Sequence, residues 1–252
     1  MAIVPGIQIK DAFLEYDHHL LFQGLNLTIP AAKWTCLLAP SGAGKTSLLR
    51  FIAGLQPSAN SLHPVVATDG QTLEGRIAYL AQNEQPLPWL TALENVVIGM
   101  ALRGEKISAT ASQQAASLLS RVGLKKHVHS LPHMLSGGMK QRVLLARTLF
   151  EDKPVILMDE PFAALDVITR THIGELAAEL LKDRTVVLVT HDPLEALRFG
   201  HRIYVMSGKP AEIKTEINLS DNPPRELTNH HLLSRHAEIL ETLSHAKEVM
   251  EC

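Results

Sequence analysis

The segment Leu37-Leu38-Ala39-Pro40-Ser41-Gly42-Ala43-Gly44-Lys45-Thr46 joins an apolar run to a helical pattern through a glycine-rich turn. A strand that delivers a helix N-terminus through such a turn belongs in a sheet with helices on its faces. Glycine at 42 and 44 keeps side chains away from a loop whose backbone N–H groups converge on one oxyanion. The helix dipole adds to the same preference for negative charge. In this geometry Lys45 reaches the β- and γ-phosphates of a nucleotide and the Thr46 hydroxyl ligates Mg²⁺. Ser41, Gly42, Ala43, Gly44 and Ser47 complete the cradle. Ala39 stands where the strict pattern has glycine.

The rest of the chain continues the alternation. Trp34 to Leu38, Ile77 to Leu80, Val155 to Met158 and Val186 to Val189 are short apolar runs that predict strands buried on both faces of a parallel sheet. Ile7 to Ile9 and Leu20 to Ile29 predict less buried, antiparallel strands. Helices are predicted at Lys45 to Ala53, after a capping box at Thr91 and Glu94, and from Ser108 to Val122 with Gly123 as the stop. Asp192 followed by Pro193 predicts a further helix start. The stretch of about 83–150 reads as an inserted helical subdomain. Residues 1–220 form the expected main domain and 221–252 a helical extension, in which Leu232, Leu233, Ile239, Leu240 and Leu243 are expected to share one stripe.

Composition narrows the partners. With 24 Lys and Arg against 26 Asp and Glu, the formal charge is −2, so nucleic acid is not an expected partner. Cys36, in an apolar run, and Cys252, the last residue, imply no disulfide and agree with a reducing compartment. No run approaches the length of a membrane span, and the start lacks the blocks of a signal peptide. Any service to a membrane is therefore expected from its cytoplasmic side. His127, His129 and His133 cluster without a cysteine or a second close pair, so they read as surface or packing residues rather than zinc ligands.

Two further motifs carry chemistry. Pro154-Val155-Ile156-Leu157-Met158-Asp159-Glu160-Pro161 places two acids at the carboxyl end of a buried strand, where open α/β sheets bind ligands. Asp159 suits Mg²⁺ and Glu160 suits the activation of an attacking water. Leu135-Ser136-Gly137-Gly138-Met139-Lys140-Gln141-Arg142-Val143 then gives a helix capped by Ser136, whose first amides form a second anion site.

Taken together, these motifs resemble the ATP-binding-cassette ATPases, the nucleotide-binding subunits of ABC transporters. The likeness extends from about Tyr16 to Met206. It implies an α/β P-loop NTPase with a mainly parallel central sheet, an N-terminal antiparallel β subdomain and the inserted helical subdomain. It implies that Tyr16 stacks on adenine, the alternative being an ordinary exposed strand tyrosine. By the same likeness Gln82 senses Mg²⁺ and the attacking water, and His191 contacts the γ-phosphate. Ser136 and Gly138 touch the nucleotide of an opposing cassette, and Asp166 lies in the loop that meets that partner. Besides Ala39, the departures are Ala32-Lys33 in place of Gly-Glu and an irregular link from Gln56 to Gln71.

Gln85-Pro86-Leu87-Pro88-Trp89-Leu90-Thr91 is similar to a segment of bacterial importers for nitrate, sulfonates, taurine and thiamine-precursor pyrimidines. Trp89 is then either a docking residue for the permease or a packing residue of the helical subdomain. The ending, with Lys209-Pro210 and Pro223-Pro224-Arg225, is similar to the same branch. The implied protein is a peripheral ATPase on the cytoplasmic face of the plasma membrane. It would bind ATP and Mg²⁺, pair with a second cassette as a homodimer, and serve an integral membrane permease and, indirectly, an external solute-binding protein. An exporter cassette, or one in a repair or translation complex, is the alternative.

Overall fold

Alternating burial along Ile7–Tyr16 (β1) and His19–Ile29 (β2) makes an antiparallel hairpin with one face on the core. The computed structural model describes residues 4–16, 18–40, 42–56, 65–226 and 230–251. β1 runs well past the predicted Ile7 to Ile9. Its register shifts between Ile9 and Glu15, and Asp11 has φ 49°, so the apolar alternation that marks a strand is interrupted there. A short strand, Val65–Ala67 (β4), pairs with the other edge of β1.

The chain divides into two compact units, one of residues 1–77, 154–160 and 181–252, the other of residues 78–153 and 161–180. In the first, Trp34–Leu38 (β3), Val155–Asp159 (β6), Thr185–Thr190 (β7), Arg202–Ser207 (β8) and Glu212–Asn218 (β9) lie in the order β6-β7-β3-β8-β9. The first four are parallel and β9 is antiparallel to β8. β3, β6 and β7 are buried at every position, as expected of strands covered on both faces. Ile77–Leu80 (β5), which leaves this unit, departs from that expectation: Ile77 and Tyr79 are only half-buried.

Two helices of the first unit carry the site. Lys45–Ile52 (α1) leaves the turn after β3. Pro193–Phe199 (α6) begins behind an Asp192 cap whose carboxylate accepts from the Leu194 N–H at 2.8 Å. The last helix, His230–Glu251 (α7), corrects the single-stripe expectation. Leu232 and Ile239 are buried, whereas Leu233 and Leu240 are exposed. One residue of offset is about 100° of rotation on a helix, enough to turn a leucine from core to solvent.

The second unit holds Ala92–Leu102 (α2), Ala109–Arg121 (α3), Gly137–Phe150 (α4) and Val167–Leu180 (α5), with α4 packed on α2 and α3. The capping box forms: Thr91 N donates to Glu94 Oε2 at 2.7 Å and Glu94 N to Thr91 Oγ1 at 3.3 Å. Ser108 caps α3, and Gly123, at φ 78°, follows its end.

Candidate functional site

The parallel register sets the site. Leu38 pairs with Thr190 and Asp159 with Val189, so the carboxyl ends of β3, β6 and β7 lie side by side. The turn after β3, Asp159 and Glu160 at the end of β6, and His191 after β7 all lie along this edge. Gly42 and Gly44 have φ 80° and 82°, in the left-handed region that a side chain disfavours, and the space where a Cβ would stand is open for 4 Å. The loop is therefore glycine for its backbone shape, and its surface stays free for a ligand. Ala43 is buried; Ser41 lies outside the described residues.

Lys45 Nζ donates to the carbonyls of Ala39 at 2.6 Å and Pro40 at 3.0 Å. Only the main chain of Ala39 serves this contact, so the missing glycine does not disturb it. Burial lowers the Lys45 pKa, against the pull of Glu160 and Asp159. Thr46 Oγ1 donates to Asp159 Oδ2 at 2.6 Å. Burial raises the Asp159 pKa, partly offset by that hydrogen bond. A hydroxyl and a carboxylate facing each other beside an open anion cradle form a hard-oxygen donor set, which fits Mg²⁺. Ser47 sits half-buried in the first turn of α1.

Glu160 stands at φ 49° and donates its N–H to Val189 O at 2.9 Å. This places its Oε2 3.2 Å from His191 Nδ1. A cavity of about 420 Å³, within the range that holds small ligands, opens beside the glycine loop with walls from residues 18–21, 42–44 and 208–211. Tyr16 is 60% exposed at the end of β1, opposite His19. The wall at 208–211 was not indicated by the sequence. It is brought in by the bond from Ala211 N to Leu21 O at 2.7 Å, a contact between distant segments that no local pattern announces.

The remaining predicted residues belong to the second unit. Ser136 caps α4, its Oγ accepting from Met139 N at 3.3 Å. A Cβ on Gly138 would lie 3.3 Å from Ala164 O and from Leu165 Cδ2, so the glycine start of α4 is packed against the loop that carries Asp166. Asp166 Oδ1 accepts from Thr169 N at 3.0 Å, and this bond holds its carboxyl below the usual range. Arg142 on α4 donates to Val122 O at 3.0 Å, and Gln141 to Pro161 O at 3.0 Å. Val167 and Ile168, directly after Asp166, are 75% and 72% exposed.

Gln82 lies exposed in the turn after β5. Trp89 is 71% exposed, which removes the packing alternative. Its loop is held from beneath by the buried Asn95, whose side chain bonds the main chain of Leu87, Leu90 and Thr91.

The family model described as "ABC transporter" matches residues 22–163. The chain belongs to the ABC transporter family of ATP-binding cassettes. An ABC transporter ATP-binding protein of Haemophilus influenzae is 41% identical, over 94% of this chain and 98% of that protein. The aliphatic sulfonates import ATP-binding protein SsuB 2 of Pseudomonas syringae pv. tomato is 34% identical, over 92% of this chain and 95% of that protein. Among solved structures, the dimeric bacterial ABC transporter cassette MJ0796 is similar at a TM-score of 0.75 and 29% identity, covering 85% of this chain and 99% of that one. The same cassette in a post-hydrolysis state bound to ADP and Pi gives a TM-score of 0.73. The cassette is thus an ATP-binding ATPase of transport with the P-loop NTPase fold. Among the described residues, no helix is long and apolar enough to cross a membrane.

Proposed function

We propose that this cassette is the ATP-hydrolysing subunit of a bacterial importer for a small solute of the nitrate, sulfonate, taurine or pyrimidine kind. It works at the cytoplasmic face of the plasma membrane beside an integral permease that receives solute from an external binding protein. The observation that carries the reading is the shared sheet edge that presents Lys45, Thr46, Asp159, Glu160 and His191 together. The sulfonate-import relatives and the exposed Trp89 loop favour import.

Lys45 and the amides of residues 42–47 hold the β- and γ-phosphates, and Tyr16 stacks on the adenine beside the cavity. Thr46 and Asp159 would hold Mg²⁺. The ion, when bound, neutralises charge on the phosphate oxygens. Glu160 accepts the proton of the water that attacks the γ-phosphorus, and His191 holds a γ-phosphate oxygen while ADP departs.

Ser136 and Gly138 serve the nucleotide of a second copy. Asp166, next to the apolar Val167 and Ile168, faces that copy, which gives the surface a partner-facing composition. ATP thereby binds the closed pair better than the open one, and hydrolysis removes that preference, which is what a population shift requires.

A tagged Glu160→Gln chain, recovered from its native membranes with ATP and Mg²⁺, tests the reading. A multi-span permease among its partners is expected; only soluble partners, ribosomes or nucleic acid would overturn it.

A further inference from the structure

Like any helix, the seven-residue α6 leaves its last carbonyls without partners inside the helix. Arg225, which follows the two prolines after β9, supplies the missing donors. Its Nη1 reaches Leu197 O at 2.9 Å and Gly200 O at 2.7 Å, its Nη2 bonds Asp221 O, and its own N–H donates to Arg198 O at 3.0 Å. The side chain is only 5% exposed, and its Nε is buried without a hydrogen-bond partner. A buried cation that answers to carbonyls and keeps one donor unsatisfied is a poor device for stability alone. At a helix C-terminus it is nonetheless favoured by the dipole.

The opposite end of α6 is fastened to the residues on either side of His191. Glu195 Oε2 accepts from Thr190 Oγ1 at 2.7 Å, and Thr190 Oγ1 accepts from Asp192 N at 3.1 Å. His191 lies between these two residues, with its Nδ1 3.2 Å from Glu160 Oε2. The helix is thus a rod of about 10 Å, gripped by Arg225 at one end and carrying His191 at the other.

We propose that Arg225 is a positioning residue for ATP hydrolysis, which anchors α6 so that His191 is held against Glu160. This rests on the reading of His191 as the γ-phosphate contact. It gives the Pro223-Pro224-Arg225 segment a task in turnover and makes the C-terminal extension part of the catalytic apparatus. Among the described residues, the hydrogen bonds of Arg225 go to Leu197, Gly200, Asp221 and Arg198 and not to the glycine loop or Lys45, so its loss is expected to spare nucleotide binding.

Steady-state ATPase kinetics of the full chain test the role. Arg225→Ala lowers kcat about tenfold with KM for ATP within about twofold of wild type, and Arg225→Lys, which restores a cation to the carbonyls, recovers most of the loss. A merely structural role loosens β3 and β7 together and raises KM as kcat falls. That pattern, or an unchanged kcat in a folded Arg225→Ala, overturns the proposal. Where Arg225→Ala does not fold, Arg225→Gln is read in the same way. Absent turnover in the wild-type chain overturns the ATPase reading and this role together, whereas wild-type turnover with an unaffected Arg225→Ala overturns this role alone.

Discussion

The Glu160 carboxylate and the His191 imidazole meet at 3.2 Å, Oε2 to Nδ1, just beyond the carboxyl ends of the neighbouring strands β6 and β7. The contact joins the residue assigned to proton acceptance with the one assigned to the γ-phosphate. Removing the imidazole with His191→Ala is expected to lower kcat roughly 10²-fold, the lower end for such groups. Affinity for ATP, set by Lys45 and the glycine loop, changes little. Turnover and nucleotide-binding measurements on the same preparation check both halves.

Asp159 shows that the site works against stability. Burial raises its pKa, so the ionised carboxylate costs folding free energy above that raised value. The cost is relieved as pH falls through it towards the unfolded value of 3.8. Asp159→Asn keeps an acceptor for Thr46 and removes the charge. It is expected to raise the melting temperature of the nucleotide-free chain at pH 7 by about 2–4 °C while abolishing Mg²⁺-dependent turnover. Calorimetry with and without Mg²⁺·ATP reads both effects.

His201 predicts an acid limit. Its Nδ1 accepts the N–H of Trp34, at the start of β3, at 3.1 Å, a bond only the neutral imidazole makes at that nitrogen. Burial, with Lys33 and Arg225 nearby, pushes its pKa down to about 4 from 6.5. The unfolded chain takes up the proton first, so stability is full above pH 6.5 and declines as pH falls from 6.5 towards 4. His201→Asn, which offers an uncharged acceptor, is expected to flatten this part of the pH profile of thermal unfolding.

Trp89 separates folding from docking. At 71% exposure its truncation removes little buried surface. Trp89→Ala is expected to change stability by no more than about 0.5 kcal/mol while releasing the permease during co-purification. Thermal unfolding and the pull-down, run side by side, distinguish a docking residue from a packing one.

Much of this arrangement is legible in the sequence because it is local. The apolar run of β3, the glycine turn, the Thr91 and Glu94 capping box and the Asp192-Pro193 helix start each declare themselves within a few residues. Features that depend on distant segments do not. Arg225 reads as one more charge after two prolines until α6 brings Leu197 and Gly200 to it. The wall at 208–211 needs β2 beside it. In α7, helical spacing placed five apolar residues together, but contact with β8 and α6 takes Leu232 and Ile239 inward and leaves Leu233 and Leu240 outside. Pattern gives the period of a helix, whereas tertiary contact decides its rotation.

In the proposed cycle ATP is shared between two copies, and Glu160 ends the shared state. Light scattering of Glu160→Gln with ATP and Mg²⁺ tests this most directly. Twice the monomer mass is expected with ATP, the monomer mass with ADP, and no decay of the dimer over many wild-type turnover times. A monomer under every condition, or a dimer that decays as fast as wild type consumes ATP, would contradict it.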